Sequence, residues 1–191
     1  MAINPHFHHT DEQINEELVL IESAKHQPEN FAPLYKKYHK QIFQYVYQRM
    51  DSKDTAFDVT GQVFLKALTN LHKYEFKGVP FASWLYRIAH NEIAQTYRQN
   101  RNKRAVNADI GDLKFICEEN ESPFFEEYIP HIKNLILSLN EDELQLVEFR
   151  YFEKRPFKEI AEILNITEVN AKVRMHRVIE KLKKAISKIK V

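Results

Sequence analysis

Glycine is scarce: Gly61, Gly78 and Gly111 are the only three in 191 residues, and no two are close enough to build a phosphate-cradling loop of the P-loop or dinucleotide type. Nucleotide-driven catalysis is therefore not expected. Neither a GxSxG elbow nor an HExxH helix occurs, so the sequence-local signatures of hydrolases are missing as well. A single cysteine, Cys117, has no partner for an internal disulfide or a CxxC site, which agrees with a reducing compartment. No run of 18 apolar residues exists, and the first 30 residues are acidic, with no basic and apolar leader. Neither a transmembrane helix nor a secretory signal is readable, and a cytoplasmic location is expected. His6, His8 and His9 sit in a Pro-containing terminus that reads as disordered rather than metal-binding, so no metal or cofactor is expected.

What is present is charge arranged in blocks. The net charge of +1 comes from 28 Lys and Arg against 27 Asp and Glu, which excludes a globally basic nucleic-acid coat. Residues 1–30 carry one cation and six acids, net −5, whereas residues 31–108 carry 13 and 5, net +8. Residues 109–130 carry one and seven, net −6, and residues 131–191 carry 13 and 9, net +4. Two basic modules that each face a polyanion, joined by an acidic linker, fit this pattern.

The first basic block is helical in period. Phe31, Leu34, Tyr35, Tyr38, Ile42, Tyr45, Val46 and Met50 recur at the spacing of one helix face. A second stripe, Val59, Val63, Phe64, Ala67, Leu68 and Leu71, follows Asp54, and residues 73–80, with Gly78 and Pro80, break it. A third helix begins near Phe81 with Leu85, Ile88, Ala89 and Ile93 inward, and runs into Arg98, Arg101, Lys103 and Arg104. Four cations in seven residues exceed what the helix macrodipole favours at a C-terminus. Residues 109–127, with Gly111 and Pro123, read as a linker. Within residues 11–24, ahead of the first module, Ile14, Leu18 and Ile21 are in step for an amphipathic helix against that module, or for a regulator's docking site.

The second module starts with two amphipathic stripes, Tyr128, Ile132, Leu135, Ile136 and Leu139, then Leu144, Val147, Tyr151 and Phe152. Residues 156–189 then show a helix-turn-helix pattern. Pro156 suits a first helical turn, Ala161 is small enough for a close helix crossing, Asn165 tolerates a left-handed backbone, and Thr167 can cap the second helix. The apolar stripe continues through Val169, Val173, Ile179, Leu182 and Ile186, so these are expected to face the core. That leaves Asn170, Lys172, Arg174, His176 and Arg177 outward. Such side chains read guanine and adenine edges or hold phosphates.

In this order the segments resemble the sigma-70 family of RNA polymerase sigma factors, in particular the small extracytoplasmic-function group that keeps only regions two and four. The resemblance rests on Asp58-Val-Thr-Gly-Gln-Val-Phe-Leu-Lys-Ala-Leu68, on Phe81-Ala-Ser-Trp-Leu-Tyr-Arg-Ile-Ala-His-Asn91, and on the run from Phe157 to Arg177. It implies an all-α chain of two helical domains joined by a flexible acidic linker, the C-terminal one containing a helix-turn-helix. The boundaries implied are an N-terminal extension over 1–25, region two over 26–106, the linker over 107–126 and region four over 127–191.

It also implies the partners, core RNA polymerase and promoter DNA, and leaves room for a regulatory protein such as an anti-sigma factor. Asp58 and Gln62 would dock on the polymerase clamp helices, with Phe64 in the core. Asn91 would line a pocket for one flipped base of the melted minus 10 element, Phe76 and Tyr86 would stack on unpaired bases, and Trp84 is either a third stacker or core. Arg98, Arg101, Lys103 and Arg104 would track phosphates. Asn170, Lys172, Arg174, His176 and Arg177 would meet the minus 35 element in the major groove. The chain departs from the family where polymerase should bind. The usual acidic stretch and its Gln-Glu pair are here Thr55, Ala56, Phe57 and Asp58, then Gly61 and Gln62, so several carboxylates are missing, and Gln95 stands where Asp is common. These departures predict a weak hold on core polymerase unless residues 1–25 or a further partner adds to it. The implied activity is transcription initiation with no catalysis by this chain; the alternatives are an autonomous helix-turn-helix repressor or activator, or a sigma-like interaction protein with weakened polymerase binding.

Overall fold

A computed structural model describes residues 11–100, 134–136 and 138–186, and every regular element among them is helical. The chain divides into two compact units, the first holding residues 11–100 and the second most of the described residues beyond.

The first unit contains α1 (Asp11–His26), α2 (Ala32–Tyr47), α3 (Lys53–Thr69) and α4 (Phe81–Asn100). Pro33 opens α2, where its missing N–H is no loss. Ser52 caps α3 by accepting from the Thr55 N–H at 3.1 Å. The connection from α3 to α4 turns through Gly78 at φ 69°, a left-handed backbone that suits glycine. Leu34, Ile42 and Val46 of α2, Val63 and Ala67 of α3, and Phe81, Leu85 and Ala89 of α4 close the core. Tyr35, read as part of the inward stripe, is instead 41% exposed, because the buried phase of α2 is set by Leu34, Tyr38, Ile42 and Tyr45.

α1 is not a loose extension of this unit. Ile21 and Ala24 are buried, and so is Glu17, whose carboxyl accepts from Tyr38 Oη, from Lys37 Nζ at 2.6 Å and from the Phe81 N–H at 3.3 Å. One acidic side chain thus ties α1 to α2 and to the first turn of α4. The boundary read between residues 25 and 26 falls inside α1, so removing residues 1–25 also removes part of the core.

The second unit contains α5 (Glu141–Val147), a π-helical turn (Glu148–Phe152), α6 (Phe157–Leu164) and α7 (Glu168–Ile186). Asn140 and Glu143 form a reciprocal capping box at the start of α5. Pro156 stands just ahead of α6, its carbonyl accepting from the Glu159 and Ile160 N–H groups. Arg155 and Glu159 are both buried and paired at 2.9 Å. Asn165 has φ 54° in the turn between α6 and α7, and Thr167 Oγ1 accepts from the Asn170 N–H at 3.2 Å. Both features of the expected turn are therefore present. Lys154 adopts the same left-handed backbone, at φ 52°, with no sequence signal for it. The apolar stripe of α7 differs from expectation: Ala171, Met175, Val178, Ile179, Leu182 and Ile186 are buried, while Val169 and Val173 face solvent. Small and large apolar residues alternate around this helix, and only packing decides which set turns inward.

Glu143 also receives Lys181 Nζ of α7 at 2.6 Å. Slight burial alone would raise its carboxyl, but the Lys181 ammonium and the Asn140 N–H outweigh this and hold it below the usual carboxylate range. The folded carboxyl binds its proton less readily than the unfolded one, so this stabilisation is full above the unfolded value and fades as pH falls through the lower folded value. Glu143→Gln keeps a capping-box side chain but removes the charge. It is expected to cost under about 1 kcal/mol at neutral pH, because Lys181 is exposed and screened. Urea melts followed by circular dichroism should show that difference closing as the pH is lowered; a pH-independent difference would contradict the assignment.

Candidate nucleic-acid interface

Three surfaces carry the side chains that can bind. On the second unit, α7 buries the face marked by Ala171, Met175, Val178 and Leu182. With 3.6 residues per turn, Val173 lies about half a turn from that stripe and so at the centre of the outward face. Val169, His176 and Arg177 are exposed around it. Lys172 and Arg174 lie to either side: Lys172 Nζ pairs with Glu168 at 2.6 Å, and Arg174 Nε donates to Asn170 Oδ1 at 2.9 Å. All five polar residues expected outward on this helix are at least partly exposed, with Asn170, His176 and Arg177 nearer the centre of the outward face and Lys172 and Arg174 at its two edges.

On the first unit, Asn91, Gln95 and Arg98 of α4 are exposed at i, i+4 and i+7 and share one face. Gln95 adds a second amide to the expected Asn91; its spacing from Asn91 was the available signal. Arg101, Lys103 and Arg104, the rest of the expected cationic run, lie outside the described residues, as do the linker residues 107–126. Phe76, in the connection to α4, is 45% exposed and open for stacking. Beside it Tyr74 is buried, with its ring edge-on to Phe81 and Trp84. Burial and the Glu17 carboxyl push the Tyr74 hydroxyl well above its ordinary range, so it stays neutral. Trp84 is half-buried against Tyr74 and Phe81.

Tyr86 corrects the expectation. It is fully buried, its ring 4.9 Å from that of Tyr45 and edge-on to it, so it supports the core and offers no face to a base. Its position one residue after Leu85 places it within the wide inward stripe of α4, where an aromatic side chain fills volume.

The third surface lies along α2 and α3. Asp58 and Gln62 are exposed on α3, next to Phe57 (47% exposed) and Leu65 (54%). Gly61 lies on the same side, and a methyl group added there would meet nothing within 4 Å. Phe64 is buried, as expected. Across from them, Tyr35, His39, Phe43 and Tyr47 recur every four residues of α2 and form a ladder of rings. His39 and Phe43 are stacked at 6.4 Å, Phe43 and Tyr47 at 5.8 Å, and Phe43 and Phe57 at 4.5 Å. The i, i+4 spacing of these rings is present in the sequence, but the inward reading of Tyr35 hides it as a surface. Among the described residues no group of three His, Cys, Asp or Glu could hold a metal ion, and no helix is long and apolar enough to cross a membrane.

A family model described as Sigma-70 region 2 matches residues 34–103, and one described as Sigma-70, region 4 matches residues 135–184; together they cover well over half of the chain. The ECF RNA polymerase sigma factor BldN of Streptomyces coelicolor is 27% identical over 85% of this chain, which spans 63% of BldN's own length. The RNA polymerase sigma factor YlaC of Bacillus subtilis is 26% identical, with 81% of this chain and 91% of YlaC covered. Among solved structures, CnrH, determined in complex with the cytosolic domain of CnrY, superposes with a TM-score of 0.58 at 15% identity, covering 90% of this chain and 97% of that one. That likeness supports the all-helical fold.

Proposed function

The chain belongs to the sigma-70 family, in its extracytoplasmic-function type with regions two and four, and from that premise we propose that it binds core RNA polymerase and directs it to specific promoters. The observation that carries the reading is the coincidence of each family match with one unit and one exposed DNA-compatible face: region two with Asn91, Gln95 and Arg98, region four with the outward side of α7. It catalyses nothing itself and acts in the cytoplasm, where polymerase and DNA are. Residues 26–106 serve as region two, 127–191 as region four, and the acidic stretch 107–126 as the strap between them.

In this reading Asn91 contributes an amide to the pocket for a flipped minus 10 base, Phe76 stacks on an unpaired neighbour, and Arg98 holds the strand's phosphates. α7 enters the major groove of the minus 35 element. Asp58 and Gln62 sit at the edge of the polymerase contact. With two carboxylates, Asp54 and Asp58, on the exposed side of α3 and the ring ladder beside it, that contact combines apolar rings with a small acidic component. A regulatory protein would compete for the same apolar surface.

Purified chain added to core polymerase should produce run-off transcripts from a genomic fragment library that core alone does not produce. In the same assay Asn91→Ala should change base preference at the melted downstream element by about 1 to 3 kcal/mol and leave upstream preference intact. Sequencing of the start sites reads both effects. An unaltered downstream preference would remove Asn91 from the pocket.

A further inference from the structure

Cations outnumber acids on the exposed surface of α7, yet the N-terminal part of its outward face is apolar. Val169 is 70% exposed and Val173 43%, four residues apart on one side of the helix's N-terminal half. Toward the C-terminus the same face continues through His176, Arg177, Glu180 and Lys184, with Lys172, Arg174 and Lys181 to the sides. The two exposed valines lie outside the buried core, which Ala171, Met175 and Val178 fill.

We infer that Val169 and Val173 are specificity-determining residues that read thymine C5-methyl groups in the upstream duplex. The inference rests on α7 being the helix that enters the major groove. Base edges there meet the N-terminal residues of such a helix, where these valines lie. The thymine methyl is the one apolar group on a major-groove edge, and it is the only feature a valine can recognise, since valine neither donates nor accepts. A cytosine in the same place carries only hydrogen at C5, so a valine there loses the methyl contact, and the pair favours thymine. The ring of cations matches the phosphates on both sides of the groove, which makes duplex DNA the occupant that this surface fits. Lys172 and Arg174 then belong to the phosphates, consistent with their lateral positions and their existing partners Glu168 and Asn170.

The test uses the full chain with core polymerase. Duplexes are selected from a pool randomised over the upstream element. The winners are then rebuilt with deoxyuridine for thymine at single positions, which keeps pairing and removes only the methyl. At one or two positions the wild type should bind the deoxyuridine duplex about fourfold more weakly, the worth of burying one methyl group. The double variant Val169→Ala/Val173→Ala, whose sites are exposed and not needed for folding, should bind both duplexes alike, and Val173→Ile should retain the discrimination. Indifference of the wild type to methyl removal, or full discrimination by the alanine variant, would overturn the assignment. Equal weakening of the variant on thymine and deoxyuridine duplexes, with its discrimination intact, would place the valines on a protein contact and also overturn it. A wild type that enriches no duplex would instead refute the initiation-factor reading itself, and this inference with it.

Discussion

Glu17→Ala lowers the stability of the first unit by about 3 kcal/mol, at the lower end of what removing one partner of a buried ion pair costs. The carboxyl is buried and accepts from Tyr38, Lys37 and the Phe81 N–H, so its loss withdraws an acceptor from three donors on two helices. Lys37 is 42% exposed and can turn to water, which keeps the loss from reaching the upper end of the range. For a unit of this size, each kcal/mol shifts the melting midpoint by roughly 4 to 8 °C, so a fall on the order of 15 °C is expected. Trp84 is the chain's only tryptophan and lies on α4, so its fluorescence follows this unit alone. Glu17→Gln retains an acceptor and should lose less than half as much. Equal melting of all three proteins would show that α1 is not held by this side chain.

The second large effect is in the other unit. Arg155→Ala should destabilise it by about 3 to 5 kcal/mol, because Glu159, 2.9 Å away and itself buried, is left without the guanidinium that neutralises it. The double replacement Arg155→Met/Glu159→Met removes both charges and keeps the volume, and should recover most of the loss. The pair sits at the entry to α6, so the single variant should also weaken upstream promoter recognition while Trp84 fluorescence melts as in the wild type. Urea titration by circular dichroism distinguishes the two units through that contrast. A single variant as stable as the double would mean that the ion pair does not matter to this fold.

Local features were readable from the chain, and tertiary ones were not. The turn between α6 and α7 could be anticipated because Asn165 and Thr167 act on their own backbone: a left-handed residue and a hydroxyl cap need no distant neighbour. The phase of a helix depends on what packs against it. Val169 and Val173 were expected inward because valine is apolar, but Ala171, Met175 and Val178 fill the interior and turn the valines out. The same reason took Tyr86 from the candidate DNA surface into the core and brought Tyr35 out of it. Glu17 and Arg155 carry no sequence mark at all, since a buried charge is recognisable only when its partner, 21 or 4 residues away, is known. On the candidate interface, Asn91, Arg98 and the polar residues of α7 lie on accessible faces, whereas the ring ladder on α2, though its i, i+4 spacing is in the sequence, becomes an exposed surface only once packing turns Tyr35 outward.

The central claim is that this chain reads promoters on behalf of polymerase. Affinity of the full chain for one selected promoter duplex, measured by fluorescence anisotropy at fixed salt with and without core polymerase, tests it most directly. The account predicts tight, sequence-dependent binding only when core polymerase is present. Equally tight and selective binding by the chain alone, as a free dimer on its site, would contradict it.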